Sequence, residues 1–246
     1  MSSHGKHLIF DAGNTVLKAA RFEGSTLLDV TRIDYTALEE GLAPLRSWGA
    51  EAALLSSVSH LTAAQLSPWL DLEVLDFNAS TPMPIRHVYN TPATVGADRL
   101  ANACGGAALH PGKHQLIIDI GTCITSDLLE AGEVFHGGAI SPGIRLRSAA
   151  MHQYTARLPQ VQVDGDVPHT GRSTAESLQS GIYYGILDEI RGRAARYQEK
   201  FPDLVVVITG GDSVYFEKGL ECPIFAHPNL TLVGLHEILC TQLESR

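Results

Sequence analysis

The stretch Leu8-Ile9-Phe10-Asp11-Ala12-Gly13-Asn14-Thr15-Val16-Leu17-Lys18 decides the fold that the sequence predicts. An apolar run ends at a carboxylate, turns at a glycine, and resumes as a second apolar run that ends in lysine. This order predicts a strand, a turn and a second strand. Because Gly13 leaves backbone N–H groups accessible, the turn can approach phosphate oxygens, while Asp11 can hold a hydrated cation beside them. A single pattern of this kind is more often an ordinary hairpin.

A second copy of the pattern lies far downstream, in Leu116-Ile117-Ile118-Asp119-Ile120-Gly121-Thr122. It repeats the apolar run, the aspartate, the glycine two places later and a threonine. Two copies at this distance predict two similar domains that face each other. A third apolar run, residues 204–208, leads into the pair Gly210-Gly211 and predicts a further strand.

Length and composition limit the classes of protein that fit. The chain has 246 residues, of which 44% are hydrophobic and 18% charged, as expected for one large or two small globular domains. A net charge of −9 disfavours nucleic-acid binding. No apolar run approaches the length of a membrane helix, and the first residues do not resemble a signal peptide. We therefore expect a cytoplasmic protein.

The cysteines and histidines do not follow a metal-binding spacing. The cysteines are predicted to be reduced and mostly buried, and they are widely scattered: Cys104, Cys123, Cys222 and Cys240. His110 and His114 have a helical spacing, but Pro111-Gly112 between them prevents a shared helical face. The sequence therefore predicts no structural metal.

Strands alternate with helices along the rest of the chain, which predicts a mixed α/β sheet covered by helices. The predicted strands cover 25–33, 52–58 and 73–77, and the predicted helices cover 36–48, 62–70 and a segment from 95 to Gly106 or His110. The first domain is expected to close at Pro111-Gly112.

In the second half, a hairpin is predicted with Gly132 at its turn, followed by a glycine-rich loop over 137–143. This loop should open a helix carrying Arg145 and Arg147, which either face a site or are solvated. Ser173 and Glu176 predict a capping box for a helix that runs to about Lys200. A last helix is predicted over 230–243, and packing against the first domain is one arrangement open to it.

Asp98 is the candidate for acid–base chemistry. An aspartate in the first turn of a helix is favourable for the helix dipole alone, so its position would more often be structural. Gly96 before it and Arg99 after it favour function, because the carboxylate can accept a hydroxyl proton while the guanidinium binds a carboxylate.

The two Asp-Gly-Thr turns and the Gly-Gly loop resemble the nucleotide site of the acetate kinase, sugar kinase, heat-shock-70 and actin superfamily. Within it, the chain resembles the type III pantothenate kinases over nearly its whole length. The motifs that carry this resemblance are the stretch 11–18, Tyr89 followed by Gly96-Ala97-Asp98-Arg99, the turn 119–122, the segment 137–143 and the segment 173–181.

The resemblance implies two ribonuclease H-like (actin-like ATPase) domains, residues 1–112 and 113–246, with mixed sheets flanked by helices and the nucleotide in the cleft between them. It implies transfer of the ATP γ-phosphate to pantothenate, giving 4'-phosphopantothenate in the first step of coenzyme A biosynthesis. It also implies Mg²⁺, a monovalent cation (K⁺ or NH₄⁺) and a homodimer, with no nucleic-acid or membrane partner.

The resemblance assigns roles residue by residue. Asp98 would be the general base, and Asp119 would bind the monovalent cation. ATP would contact Asp11, Ala12, Gly13, Asn14, Thr15, Val16, Leu17, Lys18 and Thr122, with Asp11 also beside magnesium. Pantothenate would contact Tyr89, Gly96, Ala97, Asp98, Arg99 and Thr174.

Two alternatives stay open. Another kinase or polyphosphate hydrolase of the superfamily would share the Asp-Gly turns but not Tyr89 with Asp98-Arg99. A regulatory or binding protein is the alternative from a different class, because relatives of these kinases have been named as accessory factors in transcription. The acidic charge and the intact set of candidate catalytic residues disfavour it.

Overall fold

The computed structural model describes residues 5–78, 80–164, 166–220 and 224–245. These residues form two compact units. The first comprises the described part of Met1–Leu109 together with that of Asn229–Arg246, and the second lies within His110–Pro228. The division falls close to the boundary expected at Pro111-Gly112, and the C-terminal segment belongs to the first unit.

The first unit has the following strands and helices in chain order: β1 (Lys6–Ala12), β2 (Val16–Glu23), β3 (Thr26–Asp34), α1 (Leu38–Ser47), β4 (Ala52–Ser57), α2 (Ala63–Leu70), β5 (Val74–Asp76), a short β6 (Arg86–His87) and α3 (Ala97–Leu109). Five of its strands form a mixed sheet with the order β3-β2-β1-β4-β5. β1 and β2 are antiparallel, whereas β1 and β4 are parallel. The predicted opening hairpin is confirmed.

Consecutive apolar residues in β1 reflect its central place in this sheet. Leu8, Ile9 and Phe10 are each 1% exposed or less, so both faces of the strand are covered. Leu8 and Phe10 pack in one core with Leu42 and Leu66 of α1 and α2. The opposite face, which carries Ile9, is covered by the C-terminal helix.

The second unit has the following strands and helices in chain order: β7 (Gln115–Ile120), β8 (Cys123–Glu130), β9 (Val134–Pro142), α4 (Ile144–Gln153), α5 (Thr174–Lys200), β10 (Val205–Thr209) and β11 (Ile224–Ala226). These strands lie in a second mixed sheet, in the order β11-β10-β7-β8-β9. β7 is antiparallel to β8 and parallel to β10. The chain closes with α6 (Leu230–Glu244) in the first unit.

The glycine-rich segment 137–143 is not a loop, contrary to the prediction. Residues 137–142 continue β9, and Gly138 pairs with Asp127 of β8. A Cβ at Gly138 would lie only 1.8 Å from the carbonyl oxygen of Ser126. Glycine is therefore required here because two backbones approach closely inside a sheet, and not because the chain turns. The predicted helix follows as α4.

The start of α5 differs in one detail from the predicted capping box. Ser173 accepts a hydrogen bond from the Glu176 N–H at 3.2 Å, as expected for an N-cap. The Glu176 carboxylate, however, accepts from the Arg172 N–H at 2.6 Å, one residue earlier than the capping box requires. The helix ends at Lys200, as predicted.

The three cysteines that the structure describes are free but not uniformly buried. Cys104 is buried, Cys240 is half-buried and Cys123 is exposed, while Cys222 lies outside the described residues. The prediction of burial is wrong for Cys123 because it begins β8 directly after the exposed turn. In the part of the chain that the structure describes, no helix combines the length and apolar character needed to cross a bilayer.

Two glycines allow α3 and α6 to pack backbone against backbone. A Cβ at Gly105 would lie 2.5 Å from the Leu230 carbonyl oxygen, and a Cβ at Gly234 would lie 1.7 Å from that of Ala101. Between them, the Thr231 hydroxyl donates to Asn102 Oδ1 at 2.8 Å. This contact holds the C-terminal helix on the first unit.

Replacing Gly234 by alanine should destabilise the protein. The added methyl group has no space against the Ala101 carbonyl, so the helices must separate, at a cost of about 3 kcal/mol. Gly192 of α5 is the matched control because a Cβ there meets nothing within 4 Å. Gly192→Ala should be neutral or stabilising by up to about 1 kcal/mol. Urea unfolding followed by circular dichroism measures both, and equal midpoints for the two variants would contradict this packing.

Candidate active site

The first candidate turn joins β1 to β2 and carries a charged pair at its base. Asp11 lies directly opposite Lys18 in the antiparallel register, and Lys18 Nζ is 3.4 Å from Asp11 Oδ2. Both side chains are partly exposed, so the ion pair adds little stability and remains accessible to a ligand. Asn14 and Thr15 are exposed at the tip. The turn thus presents a cation, a carboxylate and two polar side chains.

Neighbouring segments hold this turn in place. The Tyr35 hydroxyl donates to the Gly13 carbonyl oxygen at 2.5 Å, and the Val58 N–H donates to the Ala12 carbonyl oxygen at 3.0 Å. A cavity of about 340 Å³ adjoins it, lined by Asn14, Tyr35, Ser59, His60, Leu61 and Gln65. Sequence reasoning missed Tyr35, whose hydroxyl becomes relevant only when β3 ends beside the turn.

The residues predicted to contact ATP in this stretch are not equivalent. The side chains of Ala12 and Leu17 are fully buried in the core of the first unit, and Val16 is half-buried. Ala12 and Leu17 can therefore offer only backbone groups to a ligand. Gly13, Asn14, Thr15 and Lys18 form the accessible part of the turn.

The second candidate turn, between β7 and β8, has a similar construction. Asp119 is half-buried at the end of β7, opposite Thr125, and Thr122 is exposed at the tip. The Gly121 N–H donates to the Cys123 carbonyl oxygen at 3.0 Å, and the Thr122 carbonyl accepts from the Gly143 N–H at 3.0 Å. Gly143, at the start of α4, therefore supports this turn.

The glycine pair after β10 packs directly against Asp119. Gly210 has a φ of +95°, and a Cβ there would lie 2.5 Å from Asp119 Oδ1. The Asp212 N–H then donates to the Ile120 carbonyl oxygen at 2.9 Å. Only glycine combines this backbone conformation with the space that the carboxylate occupies.

Asp212 faces a larger cavity in the second unit. The cavity has a volume of about 630 Å³ and is lined by Ile144, Arg145, Ser148, Asp212, Tyr215 and the segment 160–164. Burial raises the pKa of the Asp212 carboxyl, and the positive charge of Arg145 partly opposes that rise. Sequence reasoning did not single out Asp212, although its place after the Gly-Gly pair was the available signal.

The third candidate group lies at the start of α3. Asp98 is exposed in the first turn, and its Oδ1 accepts from the Arg99 N–H at 2.9 Å. A Cβ at Gly96 would lie 2.4 Å from the same oxygen, so glycine there makes room for the carboxylate. Arg99 is only 5% exposed, and its guanidinium lies 5.5 Å from the centre of the Tyr89 ring. The predicted association of these four residues is therefore present.

The remaining candidates separate into accessible and structural residues. Thr174 is exposed as the first residue of α5. Arg147 binds Glu189 at 2.5 Å and donates to the Pro142 carbonyl at 2.7 Å, which ties α4 to α5 and β9. Arg145 is exposed at the cavity beside Asp212. Of the two arginines, Arg145 lines the cavity beside Asp212, whereas the guanidinium of Arg147 is held by Glu189 and the Pro142 carbonyl.

Sequence comparison shows the family of the chain. A family model described as type III pantothenate kinase matches residues 7–196. A type III pantothenate kinase of Bacteroides fragilis is 38% identical over 95% of this chain and 97% of its own length. That of Cytophaga hutchinsonii is 37% identical over 95% of this chain and 98% of its own length. The chain belongs to the type III pantothenate kinase family. It is accordingly an enzyme of the kinase class, as the motifs predicted.

Solved structures with the same fold confirm the predicted fold class of two mixed sheets flanked by helices. A conserved putative Baf family transcriptional activator from Campylobacter jejuni has a TM-score of 0.64 at 18% identity, covering 96% of this chain and 99% of that one. A ROK family glucokinase from Streptomyces griseus, solved with glucose and AMPPNP, has a TM-score of 0.54 at 12% identity, covering 96% and 99%. At these identities the likeness concerns the fold alone.

Proposed function

We propose that this chain phosphorylates pantothenate with ATP, releasing ADP and 4'-phosphopantothenate, the first step of coenzyme A biosynthesis. The observation that carries the proposal is the start of α3, where an exposed carboxylate adjoins a buried guanidinium on an aromatic ring. Family membership supports the choice of pantothenate, which has both a primary hydroxyl and a carboxylate. The start of α3 offers one group for each: the Asp98 carboxylate for the hydroxyl and the Arg99 guanidinium for the carboxylate.

Asp98 is proposed as the general base. The hydroxyl oxygen of pantothenate forms a bond to the γ-phosphorus while the bond from that phosphorus to the bridging oxygen breaks, and the hydroxyl proton passes to the carboxylate. Because Asp98 Oδ1 already accepts the Arg99 N–H, Oδ2 is the oxygen oriented to accept the proton. The hydrogen bond fixes the carboxylate before the substrate arrives.

Arg99 and Tyr89 are proposed to bind the substrate carboxylate. A guanidinium offers paired N–H donors that match a carboxylate, and stacking on an aromatic ring limits its orientations. Burial of Arg99 excludes water, which strengthens an ionic hydrogen bond. Thr174, exposed at the start of α5, is proposed as a further contact to pantothenate, with backbone groups of Gly96 and Ala97.

The two Asp-Gly turns are proposed to bind the ATP phosphates. Lys18 and the N–H groups near Gly13 supply positive charge, and the hydroxyls of Thr15 and Thr122 are exposed to donate. Mg²⁺ fits Asp11, because this partly exposed carboxylate lies beside the turn and oxygen is the ligand that the ion prefers. When bound, the ion neutralises charge on the phosphate oxygens.

The cavity beside Asp212 is proposed to receive the adenosine. It adjoins the Gly210-Gly211 turn, and in the superfamily that this chain resembles the corresponding turn packs against adenosine. Its volume of about 630 Å³ suits a nucleoside. Arg145 at its rim can bind a phosphate or stack on the base.

The two alternative functions, another kinase of the superfamily and a regulatory protein, can be distinguished by what the protein phosphorylates or binds. An ADP-release assay with pantothenate and with sugars separates this activity from that of a sugar kinase. DNA affinity in the absence of kinase activity would favour a regulatory protein instead. The homodimer and the cytoplasmic location expected from the sequence remain proposals.

Replacing Asp98 by asparagine should remove turnover while leaving ATP binding intact. The amide keeps the shape of the side chain but cannot accept the hydroxyl proton, so kcat should fall about 10³-fold. Steady-state kinetics of ADP release gives kcat, and calorimetry gives the affinity for ATP. Asp188→Asn, at an exposed site on α5, is the matched control and should behave as the wild type. Turnover of Asp98→Asn near that of the control would overturn the role of Asp98 as the base.

Replacing Gly96 by alanine should displace the Asp98 carboxylate without unfolding the protein. The new methyl group would lie 2.4 Å from Asp98 Oδ1, which is too close, and this end of the side chain can rotate away. We expect kcat to fall about 100-fold, as for loss of a positioned base, with an unchanged KM for ATP. Thermal melting checks the fold, and Gly192→Ala, already described as unobstructed, serves as the control. Unchanged kcat in Gly96→Ala would show that the orientation of Asp98 does not matter.

A monovalent cation is proposed to bind at Asp119. The Asp119 carboxylate is half-buried at the end of β7, and a Cβ at Gly210 would lie 2.4 Å from the Ile120 carbonyl oxygen and 2.5 Å from Asp119 Oδ1, so two oxygens lie close together here. Turnover should therefore depend on the salt, with K⁺ or NH₄⁺ more effective than Na⁺ as the sole monovalent cation. In Asp119→Ala, the activation of turnover by the monovalent cation should be at least about ten-fold weaker, because the anionic ligand is gone. Equal rates in all three chloride salts would contradict the site.

A further inference from the structure

Neighbouring segments hold the first peptide groups of the turn between β1 and β2. The Ala12 carbonyl oxygen accepts from the Val58 N–H at 3.0 Å, and the Gly13 N–H donates to the Val16 carbonyl oxygen at 3.2 Å. The Gly13 carbonyl oxygen accepts from the Tyr35 hydroxyl at 2.5 Å. These backbone groups are therefore already engaged before a ligand arrives.

The N–H of Asn14 belongs to the same peptide group as the Gly13 carbonyl, and it is available to a ligand. Within the described part of the chain, nothing accepts a hydrogen bond from it. Because a trans peptide is planar, its N–H points in the direction opposite to its carbonyl oxygen. The hydrogen bond from Tyr35 to the carbonyl therefore fixes the direction of the Asn14 N–H. It also polarises the peptide group, which makes this N–H a stronger donor.

The fold leaves Tyr35 little freedom to move away from the turn. The last residue of β3, Asp34, lies opposite Val16, the first residue of β2, so the residue after β3 lies beside the turn. Asp34 Oδ1 accepts from the Thr36 N–H at 2.8 Å and caps a short 3₁₀ helix over Tyr35–Ala37. The half-buried ring of Tyr35 packs against the core of the first unit. The hydroxyl is therefore a donor in a fixed place.

We propose that Tyr35 is a positioning residue, which holds the Gly13–Asn14 peptide so that the Asn14 N–H donates to a phosphate oxygen of ATP. This inference rests on the proposed function of the first Asp-Gly turn. Tyr35 acts through the peptide and does not itself bind ATP. The Asn14 N–H adds a directed backbone donor to the charge of Lys18, as in other phosphate-binding turns. Asn14 and Tyr35 both line the cavity of about 340 Å³ that adjoins the turn, so a ligand can reach this peptide.

Replacing Tyr35 by phenylalanine tests this role because the change removes the hydroxyl and keeps the ring. We expect the KM for ATP to rise about 5- to 10-fold, as for the loss of one hydrogen bond. The kcat should stay within about two-fold of the wild type and the KM for pantothenate should not change, because the lost contact contributes to ATP binding before and during the reaction alike. In calorimetry, the affinity for the non-hydrolysable analogue AMP-PNP should fall by the same factor as the KM rises. The affinity for adenosine, which has no phosphate, should not change.

Tyr184→Phe is the matched control. The Tyr184 hydroxyl also donates to a backbone carbonyl, that of Val167 at 3.0 Å, but in the second unit. This variant should bind AMP-PNP as the wild type does. Equal affinities of Tyr35→Phe and Tyr184→Phe for AMP-PNP would overturn the role of Tyr35. A loss of affinity that is the same for adenosine as for AMP-PNP would also overturn it, since a general distortion affects both ligands.

The amide resonance of Asn14 gives a second readout, which needs no variant. In isotope-labelled wild-type protein, this resonance should move downfield when AMP-PNP binds, because the N–H then donates to a phosphate oxygen, and it should stay in place with adenosine. An unmoved resonance at saturating AMP-PNP would overturn the inference even if Tyr35→Phe does not fold. If the wild type does not phosphorylate pantothenate, the proposed function fails, whereas the binding measurements still decide the role of Tyr35.

Discussion

Burial on both faces of a central strand is the constraint on which this structure depends. In β1 and β7 the apolar residues are consecutive, because helices or neighbouring elements cover each side of the sheet. A charged side chain cannot be accommodated along such a strand without a large desolvation cost. Asp11 and Asp119 therefore occur only where their strands approach the turn, partly buried and partly accessible. The chemistry of the candidate site follows from where the core ends.

Close backbone approach is the second recurring device, and glycine makes each instance possible. Gly138 lies against a neighbouring strand, Gly234 against a neighbouring helix and Gly210 against the carboxylate of Asp119. At Gly96 the missing side chain makes room for the carboxylate of Asp98 within its own helix turn. Each of these four glycines thus marks a close contact with the group that lies opposite it. Only at Gly210 among these four is a left-handed backbone also involved.

Much of the fold and part of the site could be predicted from local patterns. The two hairpins and the long α5 follow from apolar runs interrupted by turn residues, and the helix start at Asp98 follows from its own neighbours. The segment 137–143 was interpreted wrongly because glycines that serve packing and glycines that serve turns look alike in sequence. Tyr35, Asp212 and the pairing of Arg147 with Glu189 were missed because each depends on a partner distant along the chain.

By itself, the sequence determined the order of strands and helices, the positions of the acidic turns and membership in a kinase family. These depend on side-chain patterns within one element or on motifs short enough to be recognised in place. Only the tertiary structure decided that α6 returns to the first unit, that the Gly210 turn adjoins Asp119, and that the Tyr35 hydroxyl meets the Gly13 carbonyl. The physical reason is that close contacts between distant segments arise from packing of whole elements, and no local pattern encodes which elements will meet.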